Sequence, residues 1–340
     1  MEKAFDKMNR HALFIKLMKR GCPLTLINIL NDWFEKSSSS VRWGDSLSDH
    51  FILRAGTRQG GVLSPLLFSI FINDLLLLLD NENCGCIINN ISLNSFLYAD
   101  DLILLSLSII DMLVMLDVCK RELQWLDMNI NFEKSSAMRI GERFDVPIPP
   151  LIVGGRDIQW VNSIRYLGVV LVAGKIFSIC LHTLKIKFFQ GLNTILGKIG
   201  DMSNIPLILS LASTNCFPIL LYGLSACCLS NAQVASLEYA YNAVFVKVFK
   251  SFDKKVLLSC QYFTGILPVR YAMDLDRIKF LKSICSATES PAGFICTVAG
   301  GEEIRNLELT YGVRLPIESP ASFKKKIWEK FGRTLNDTIL

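Results

Sequence analysis

The spacing of apolar residues predicts helices in the first part of the chain. Asn9 is a suitable N-cap, and Leu13, Leu17 and Gly21 mark the apolar face and the end of the helix that follows. The same spacing predicts three more helices. One begins after Pro23, one has Ser64 as its N-cap and Pro65 as its first residue, and one, with Asp111 as the cap, spans about 112–127.

Apolar runs rich in β-branched and aromatic residues predict strands between these helices. Residues 94–106 contain two such runs, and Asp100 and Asp101 stand between them, which places both carboxylates at the tip of a tight hairpin. Shorter strands are predicted at 41–43 and 50–54, around Gly44-Asp45, at 136–140, and at 151–153 and 164–172, on either side of Gly154-Gly155.

From about residue 180 the pattern becomes mostly helical, with lysines on otherwise apolar segments. The order of elements therefore predicts an α+β domain up to about 175 and a helical domain after it. The lysines concerned are Lys185, Lys187, Lys198, Lys247, Lys250, Lys254 and Lys255.

Composition agrees with large hydrophobic cores. Of 340 residues, 51% are hydrophobic and 20% charged, which excludes disordered and fibrous classes, and the length favours two domains. The net charge of +5 permits a polyanionic partner without requiring one. The 11 cysteines and the charged opening residues predict reduced thiols and an intracellular protein of the nucleus or cytoplasm. None of the 3 histidines has zinc-ligand spacing to a cysteine pair.

One stretch has the composition of a membrane span. Residues 205–229 are dominated by apolar side chains, but Pro206 and Pro218 interrupt them, with serine, threonine and asparagine between. Two buried helices of the second domain are the alternative, and no membrane partner is expected.

The strongest chemical signal is the Asp100-Asp101 pair. Two adjacent carboxylates repel each other, so a cation should compensate them, and Mg²⁺ is a hard ion that prefers carboxylate oxygens. A surface turn is the structural alternative. A glycine-rich loop at 56–63 accompanies the pair, and its glycines permit close approach of backbone to a ligand while Gln59 can bond a base edge or a phosphate.

These stretches resemble the reverse transcriptases, and among them the non-LTR (LINE-type) retrotransposon enzymes. Glu-Lys-Ala-Phe-Asp at 2–6 is similar to the end of the first palm motif, 56–68 to the second, and Tyr-Ala-Asp-Asp at 98–101 to the third. Residues 131–135 resemble the fourth motif, and Tyr166-Leu167-Gly168 the primer-grip strand. Group II intron maturases share the second and third motifs, whereas 69–75 and Leu221-Tyr222-Gly223 favour the LINE-type enzymes.

The resemblance implies two-metal phosphoryl transfer, with Mg²⁺ or Mn²⁺ held by Asp100 and Asp101. It implies an RNA template, a DNA primer and deoxynucleotides as partners. It also implies that Phe5 selects deoxynucleotides by excluding a 2′-hydroxyl, although core packing is an alternative for this ring. By the same resemblance, the triphosphate lies near Lys3 and Ala4, and the new base pair is lined by Gln59 and Gly60. Lys134 would protonate pyrophosphate. The primer would be gripped by Tyr166, Leu167 and Gly168.

The family supplies a third metal-binding aspartate five residues before the aromatic that matches Phe5, a position directly ahead of Met1. The fingers region is also missing from this chain. We therefore expect residues 1–340 to be a truncated or mis-started enzyme with little or no polymerase activity. A catalytically dead relic that at most binds nucleic acid is the alternative.

The resemblance implies a right-hand polymerase palm, an antiparallel sheet with packed helices, over 1–175. A helical thumb or connection is expected over 176–270, where lysines would follow the template–primer backbone or form solvated helix faces. Residues 271–340 have no assigned role.

Overall fold

A computed structural model describes residues 1, 4–58, 60–89, 91–200, 204–287, 290–315 and 317–339. The chain divides into two compact units. Unit 1 comprises Met1–Ala137 and Pro147–Trp160, and unit 2 comprises Met138–Val146 and Val161–Leu340. The predicted domain limits near 175 and 270 stay predictions.

Unit 1 contains the four helices predicted in the first part of the chain and one short helix, α1, ahead of them. They are α1 (Ala4–Lys7), α2 (Arg10–Lys19), α3 (Leu24–Glu35), α4 (Ser64–Asn81) and α5 (Ile109–Trp125). The Asn9 side chain accepts a hydrogen bond from the backbone nitrogen of Ala12, which confirms the predicted cap of α2. The cap of α5 is Ser108, which accepts from the backbone nitrogen of Asp111, so the prediction of Asp111 as the cap was wrong.

The strands of unit 1 are short and form small sheets. They are β1 (Ser38–Ser39), β2 (Arg42–Trp43), β3 (Ser46–Leu47), β4 (Phe51–Ile52), β5 (Ile87–Ile88), β6 (Ile91–Ser92), β7 (Ser95–Tyr98), β8 (Asp101–Leu104), β9 (Ser136–Ala137), β10 (Leu151–Val153) and β11 (Arg156–Trp160). The turn at Gly44-Asp45 is as predicted, but β2 pairs with β3, while β4 pairs with β1. β11 pairs antiparallel with β10 and parallel with β9.

The core of unit 1 is built on α4, because its buried side chains repeat along one face. Leu67, Phe71, Leu75 and Leu79 lie in a cluster with residues of α2, α3 and α5. Within the described residues, α4 is the one helix long and apolar enough to cross a bilayer, a test that core helices of soluble proteins also pass.

The longer segment of unit 2, Val161–Leu340, begins with a small antiparallel sheet, followed by helices. Its strands are β12 (Ser163–Tyr166), β13 (Val169–Val172) and β14 (Ser178–Ile179). Residues 164–172 therefore do not form the single strand that their apolar pattern predicts. Leu167 and Gly168 have φ of +44° and +87° and fold this stretch into a hairpin.

The remaining chain is helical, as the pattern after residue 180 predicts. The helices are α6 (His182–Ile199), α7 (Ile205–Leu211), α8 (Phe217–Leu220), α9 (Asn231–Phe249), α10 (Lys254–Phe263), α11 (Val269–Cys285), α12 (Pro291–Ala299), α13 (Gly301–Tyr311) and α14 (Pro320–Ile339). A π-turn at Ala212–Cys216 separates α7 from α8, so the apolar stretch at 205–229 consists of short helical segments.

Stacked aromatic rings fill the first core of unit 2. Phe217 lies 4.0 Å from the Tyr241 ring centre and 6.4 Å from those of Phe188 and Phe245, all at small interplanar angles. A second core joins α11 to α14 through Ile278, Phe323, Ile327 and Phe331. The mixed architecture agrees with the α+β prediction, although the described strands form sheets of two or three strands instead of one palm sheet.

Candidate active site

The paired carboxylates lie at the tip of the β7–β8 hairpin, as predicted. Tyr98 pairs with Asp101, and Ala99 and Asp100 form the turn between them. Ala99 has a φ of +52°, a left-handed conformation that alanine rarely adopts. Asp100 is half-buried and Asp101 is exposed.

One face of this hairpin is anchored in the core of unit 1. Leu97 and Leu102 are cross-strand partners, and both pack against the buried cluster around α4. Because successive strand residues point to opposite faces, the next pair, Tyr98 and Asp101, lies on the other face. Both of these side chains are exposed, so the packing of the leucines leaves the Asp101 carboxylate open to ligands.

A buried asparagine fixes the base of the hairpin. Asn94 is 1% exposed, and its side-chain nitrogen donates to the Leu79 carbonyl at the end of α4 (2.9 Å). Its own carbonyl accepts from the Leu105 nitrogen at 2.7 Å. Our sequence reasoning missed Asn94, although a polar residue at the start of an apolar strand pair was a usable signal.

The first residues of the chain contact both the hairpin tip and α4. The Met1 nitrogen donates to the Asp100 carbonyl at 2.9 Å. Phe5 is half-buried, and its ring stacks on Phe68 at 4.6 Å. The Phe5 carbonyl accepts from the Thr57 nitrogen at 2.8 Å. The segment similar to the first palm motif therefore contacts the second through Phe5, and Met1, directly ahead of it, contacts the third.

Two of the predicted triphosphate and base-pair residues, Lys3 and Gln59, lie outside the described residues. Ala4 begins α1, and its side chain is likewise outside what the structure describes. Gly60 has a φ of +81° and is exposed within the loop ahead of α4.

Gly56 is the point of closest approach between this loop and α1. A Cβ at Gly56 would lie 2.5 Å from the Asp6 carbonyl oxygen, and the residue has a φ of +77°. Its nitrogen donates to the Met8 carbonyl at 2.9 Å. Glycine is therefore required here for two reasons, the tight contact and the left-handed backbone.

Arg10 holds the chain ahead of Gly56 in place. Its guanidinium donates to the carbonyls of Leu53 (2.6 Å), Phe34 (3.0 Å) and Gly56 (3.1 Å). It also lies over the Phe34 ring, 4.7 Å from the centroid. Burial lowers the pKa of Arg10 from its ordinary value. Sequence reasoning missed this role, because a charged residue in the first turn of an amphipathic helix normally faces solvent.

The rest of the loop is held by Ser64. Its hydroxyl donates to the Arg58 carbonyl at 2.6 Å, and the Gly61 nitrogen donates to the same oxygen at 3.1 Å. Ser64 is the first residue of α4 and makes no capping hydrogen bond, so its prediction as the N-cap was wrong. Thr57 is 7% exposed, and its hydroxyl has no hydrogen-bond partner among the described residues.

Lys134 lies on an exposed turn of unit 1. Its backbone nitrogen donates to the carbonyl (3.3 Å) and side-chain oxygen (3.2 Å) of Asn131. The Asn131 side chain thus forms the turn that presents Lys134 to solvent.

The predicted primer-grip residues belong to unit 2. Leu167 and Gly168 form the tip of the β12–β13 hairpin, and Tyr166 is the last residue of β12. The Tyr222 hydroxyl donates to the Leu167 carbonyl at 2.9 Å, and a Cβ at Gly168 would lie 3.2 Å from the Tyr222 ring. Tyr222 therefore supports this tip. The resemblance of Leu221-Tyr222-Gly223 to the LINE-type enzymes did not predict this role.

The donor set at Asp100 and Asp101 fits a hard divalent cation. Carboxylate oxygens are the protein ligands that Mg²⁺ prefers, and such ions retain positions for water and substrate phosphates. Among the described residues there is no cluster of three or more His, Cys, Asp or Glu side chains that could hold a metal ion. The pair thus offers two carboxylates of suitable chemistry rather than a complete cage.

Comparison with known families decides the affiliation of the chain. A family model described as reverse transcriptase (RNA-dependent DNA polymerase) matches residues 1–171. The chain belongs to this family. The match includes every segment that contributes to the Asp100-Asp101 tip and its neighbouring loop.

Related reverse transcriptases come from non-LTR retrotransposons. The chain is 28% identical over 134 residues to the retrovirus-related Pol polyprotein from the type-2 retrotransposable element R2DM of Drosophila melanogaster, covering 39% of this chain and 13% of that protein. It is 26% identical over 177 residues to the Pol polyprotein from a type-1 element R2 of Popillia japonica, covering 50% of this chain and 29% of that protein.

A further relative is the transposon TX1 uncharacterized 149 kDa protein of Xenopus laevis. The identity is 29% over 175 residues, which covers 51% of this chain and 13% of that protein. The predicted affiliation with the non-LTR retrotransposon reverse transcriptases is thereby confirmed. The chain spans less than a third of the length of these curated relatives.

Proposed function

We propose that this chain supplies the palm and thumb of an RNA-directed DNA polymerase that extends a DNA primer on an RNA template. The observation that carries the proposal is the placement of Asp100 and Asp101 at an anchored hairpin tip, in contact with Met1. The family match over residues 1–171 supports it.

In this proposal Asp100 and Asp101 hold two Mg²⁺ ions, for which Mn²⁺ can substitute. Bound ions of this kind activate an attacking hydroxyl and neutralise charge on the phosphoryl group. The chain contributes rigidity, because Leu97, Leu102 and Asn94 fix the hairpin to the core and so limit movement of the carboxylates.

We assign the nucleotide side of the site to Phe5 and the loop ahead of α4. Stacking on Phe68 would hold the Phe5 ring in one orientation, so that its edge could exclude a ribose 2′-hydroxyl. Gly60 and Gln59 would border the new base pair, and Lys3 and Ala4 the triphosphate. Lys134, which is exposed, would donate a proton to departing pyrophosphate.

We assign the primer to Tyr166, Leu167 and Gly168. The hydrogen bond from Tyr222 to the Leu167 carbonyl supports this assignment, because it stiffens the turn that would contact the primer backbone. Exposed lysines of the helical region would add salt-dependent affinity for the template–primer duplex.

We further propose that the family's third carboxylate belongs to the position directly before Met1 in a longer protein. Such a residue would be bonded to the nitrogen that lies 2.9 Å from the Asp100 carbonyl oxygen. On this proposal, residues 1–340 alone have little polymerase activity, since loss of one ligand of a two-metal site costs orders of magnitude in rate.

Primer extension on an RNA template, with Mg²⁺ or Mn²⁺, tests these assignments. We expect little incorporation by residues 1–340, and incorporation when the chain is extended upstream to include an aspartate before Met1. In the extended protein, Asp100→Asn should reduce the rate at least a hundredfold. Asp117→Asn is the matched control, because Asp117 is an exposed carboxylate paired with exposed Arg121, and it should leave the rate unchanged.

A non-catalytic nucleic-acid-binding chain is the second candidate function. It is favoured by the lack of a third metal-binding side chain beside Asp100 and Asp101 within the described residues. Robust incorporation by residues 1–340 would exclude this candidate and our placement of the third carboxylate. Inactivity of the upstream-extended protein, together with retained nucleic-acid binding, would favour it.

A further inference from the structure

The connection between α9 and α10 forms an open cavity in unit 2. Lys250 closes α9 with a left-handed backbone (φ +55°), and the Asp253 side chain accepts from the Lys255 nitrogen to begin α10. The cavity beside this connection measures about 400 Å³. It is lined by the apolar side chains of Phe249, Val256, Cys260 and Phe263, and by Lys255, Ser259 and Thr264. We call it the α9–α10 pocket.

The size and lining of the α9–α10 pocket suit a flat ring. Its volume falls in the range of roughly 300–1,000 Å³ that is typical of small-molecule sites. Ser259 and Thr264 donate their hydroxyl protons to the carbonyls of Lys255 (3.0 Å) and Cys260 (2.6 Å). Their oxygens therefore remain as hydrogen-bond acceptors, which suits the amino groups of a nucleobase.

Two phenylalanine rings, Phe263 in the pocket lining and Phe252 in the α9–α10 connection, are almost fully exposed. Phe263 is 84% exposed and Phe252 is 87% exposed. Apolar surface of this kind, bordered by charged residues, marks an interaction site more often than isolated exposure does. Phe263 both lines the pocket and is open to solvent, so a ring from outside can stack on it.

Three lysines surround the pocket along the chain: Lys255 lines it, and Lys250 and Lys254 belong to the α9–α10 connection. Lys250, Lys254 and Lys255 are exposed, and they take part in none of the ion pairs formed by the described residues. Asp253 caps α10 and keeps its negative charge, so three lysines and one carboxylate leave the connection with a net charge of +2. This excess positive charge can attract a polyanion.

We propose that the α9–α10 pocket binds one base of a single-stranded nucleic acid, stacked on Phe263, with adjacent phosphates on Lys250, Lys254 and Lys255. Stacking on an aromatic ring within a basic groove is how proteins bind single strands without sequence preference. A concave site with hydroxyl acceptors favours this ligand over a lipid surface, which requires a continuous apolar helix face. The inference rests on the proposed polymerase function, because it gives the unpaired template strand a holding point in unit 2.

Fluorescence anisotropy of the 340-residue chain with labelled single-stranded oligouridine, and with oligothymidine in parallel, tests the proposal. Phe263→Ala should weaken binding about five- to a hundredfold, the usual effect of losing one stacked base. Lys255→Ala should weaken binding and reduce the salt dependence by about one phosphate contact. Tyr239→Ala and Lys325→Ala are matched controls, because both side chains are exposed and neither lines the pocket, and each should bind as the parent does.

The outcomes separate the pocket from the polymerase. Equal binding by Phe263→Ala and the parent chain overturns the proposal, as does Phe263-dependent binding to phosphatidylserine vesicles without binding to oligonucleotides. Stronger binding of oligouridine than of oligothymidine supports RNA as the source of the strand. Loss of oligonucleotide binding in Phe263→Ala supports the pocket whatever the outcome of primer extension. Primer extension by the upstream-extended protein that is insensitive to Asp100→Asn would contradict the polymerase proposal alone.

Discussion

Gly56 and Arg10 together set the position of the first residues of the chain relative to the loop ahead of α4. Gly56 lies against the carbonyls of Phe5 and Asp6, and Arg10 donates hydrogen bonds to the carbonyls of Leu53 and Gly56. Neither residue takes part in the proposed reaction itself. Their effect is to keep Phe5 in register with the loop that carries Gly60.

Substitution of Gly56 tests the importance of this contact. Gly56→Ala should destabilise the chain by about 3 kcal/mol or more, because the left-handed backbone costs about 1–2 kcal/mol for a side chain and the new Cβ also collides with backbone. Urea unfolding followed by tryptophan fluorescence measures the change.

Gly44→Ala provides the matched control for the backbone contribution. Gly44 has a φ of +59° but nothing within 4 Å of a new Cβ. It should therefore lose only about 1–2 kcal/mol in the same assay. Equal losses for the two variants would mean that the contact between Gly56 and α1 does not contribute to stability.

At the residue scale, the sequence predicted the groups that carry chemistry better than the groups that support them. Asp100 and Asp101 stand out in the sequence because two adjacent carboxylates between apolar strands repel each other unless a cation compensates them. Arg10 and Asn94 were missed because their partners are backbone carbonyls distant in sequence, at Leu53 and Leu79, which only the fold brings near.

At the scale of elements, periodicity predicted the helices well and the short strands less well. The helix α2 has a local cap and a regular apolar face, so its limits follow from nearby residues. The apolar run at 164–172 contains no turn-forming residue apart from Gly168, so its pattern predicts one strand. The two positive φ angles at Leu167 and Gly168 are stabilised instead by Tyr222, more than fifty residues away.

The stiffness of the β12–β13 hairpin should depend on this hydrogen bond. Tyr222→Phe removes the hydroxyl but keeps the ring against Gly168, so the loss should be about 0.5–1 kcal/mol, since Tyr222 is half-exposed. Amide hydrogen exchange in β12 and β13 should become roughly two- to fivefold faster. Tyr239→Phe, at another exposed tyrosine of unit 2, should leave exchange unchanged. If amide exchange in Tyr222→Phe is as slow as in the parent chain, the hydrogen bond does not hold the hairpin.

At the scale of the whole molecule, the hydrophobic cores follow the division into two units. The clusters around α4 and β10 draw their residues from unit 1, whereas those around α9 and α14 draw theirs from unit 2. Chains built from separate cores commonly unfold in more than one step. The change from mixed strands and helices to helices alone predicts two domains. The sequence does not predict which segments belong to which core, because this depends on pairings such as β9 with β11 that local sequence does not specify.

One core variant in each unit should therefore shift a different unfolding transition. Lys16 is 1% exposed in unit 1 and lies 3.1 Å from both Asp74 and Glu122. Asp74 also pairs with Arg20 at 3.6 Å, so Lys16→Ala leaves Glu122 without its cation and should cost about 3 kcal/mol. Phe245 is fully buried among the stacked rings of unit 2, and Phe245→Ala should cost about 3–5 kcal/mol. In differential scanning calorimetry, each variant should lower one transition and leave the other in place, with hydrogen exchange assigning each transition to its unit. A single transition that both variants lower equally would mean that the two units unfold as one cooperative structure.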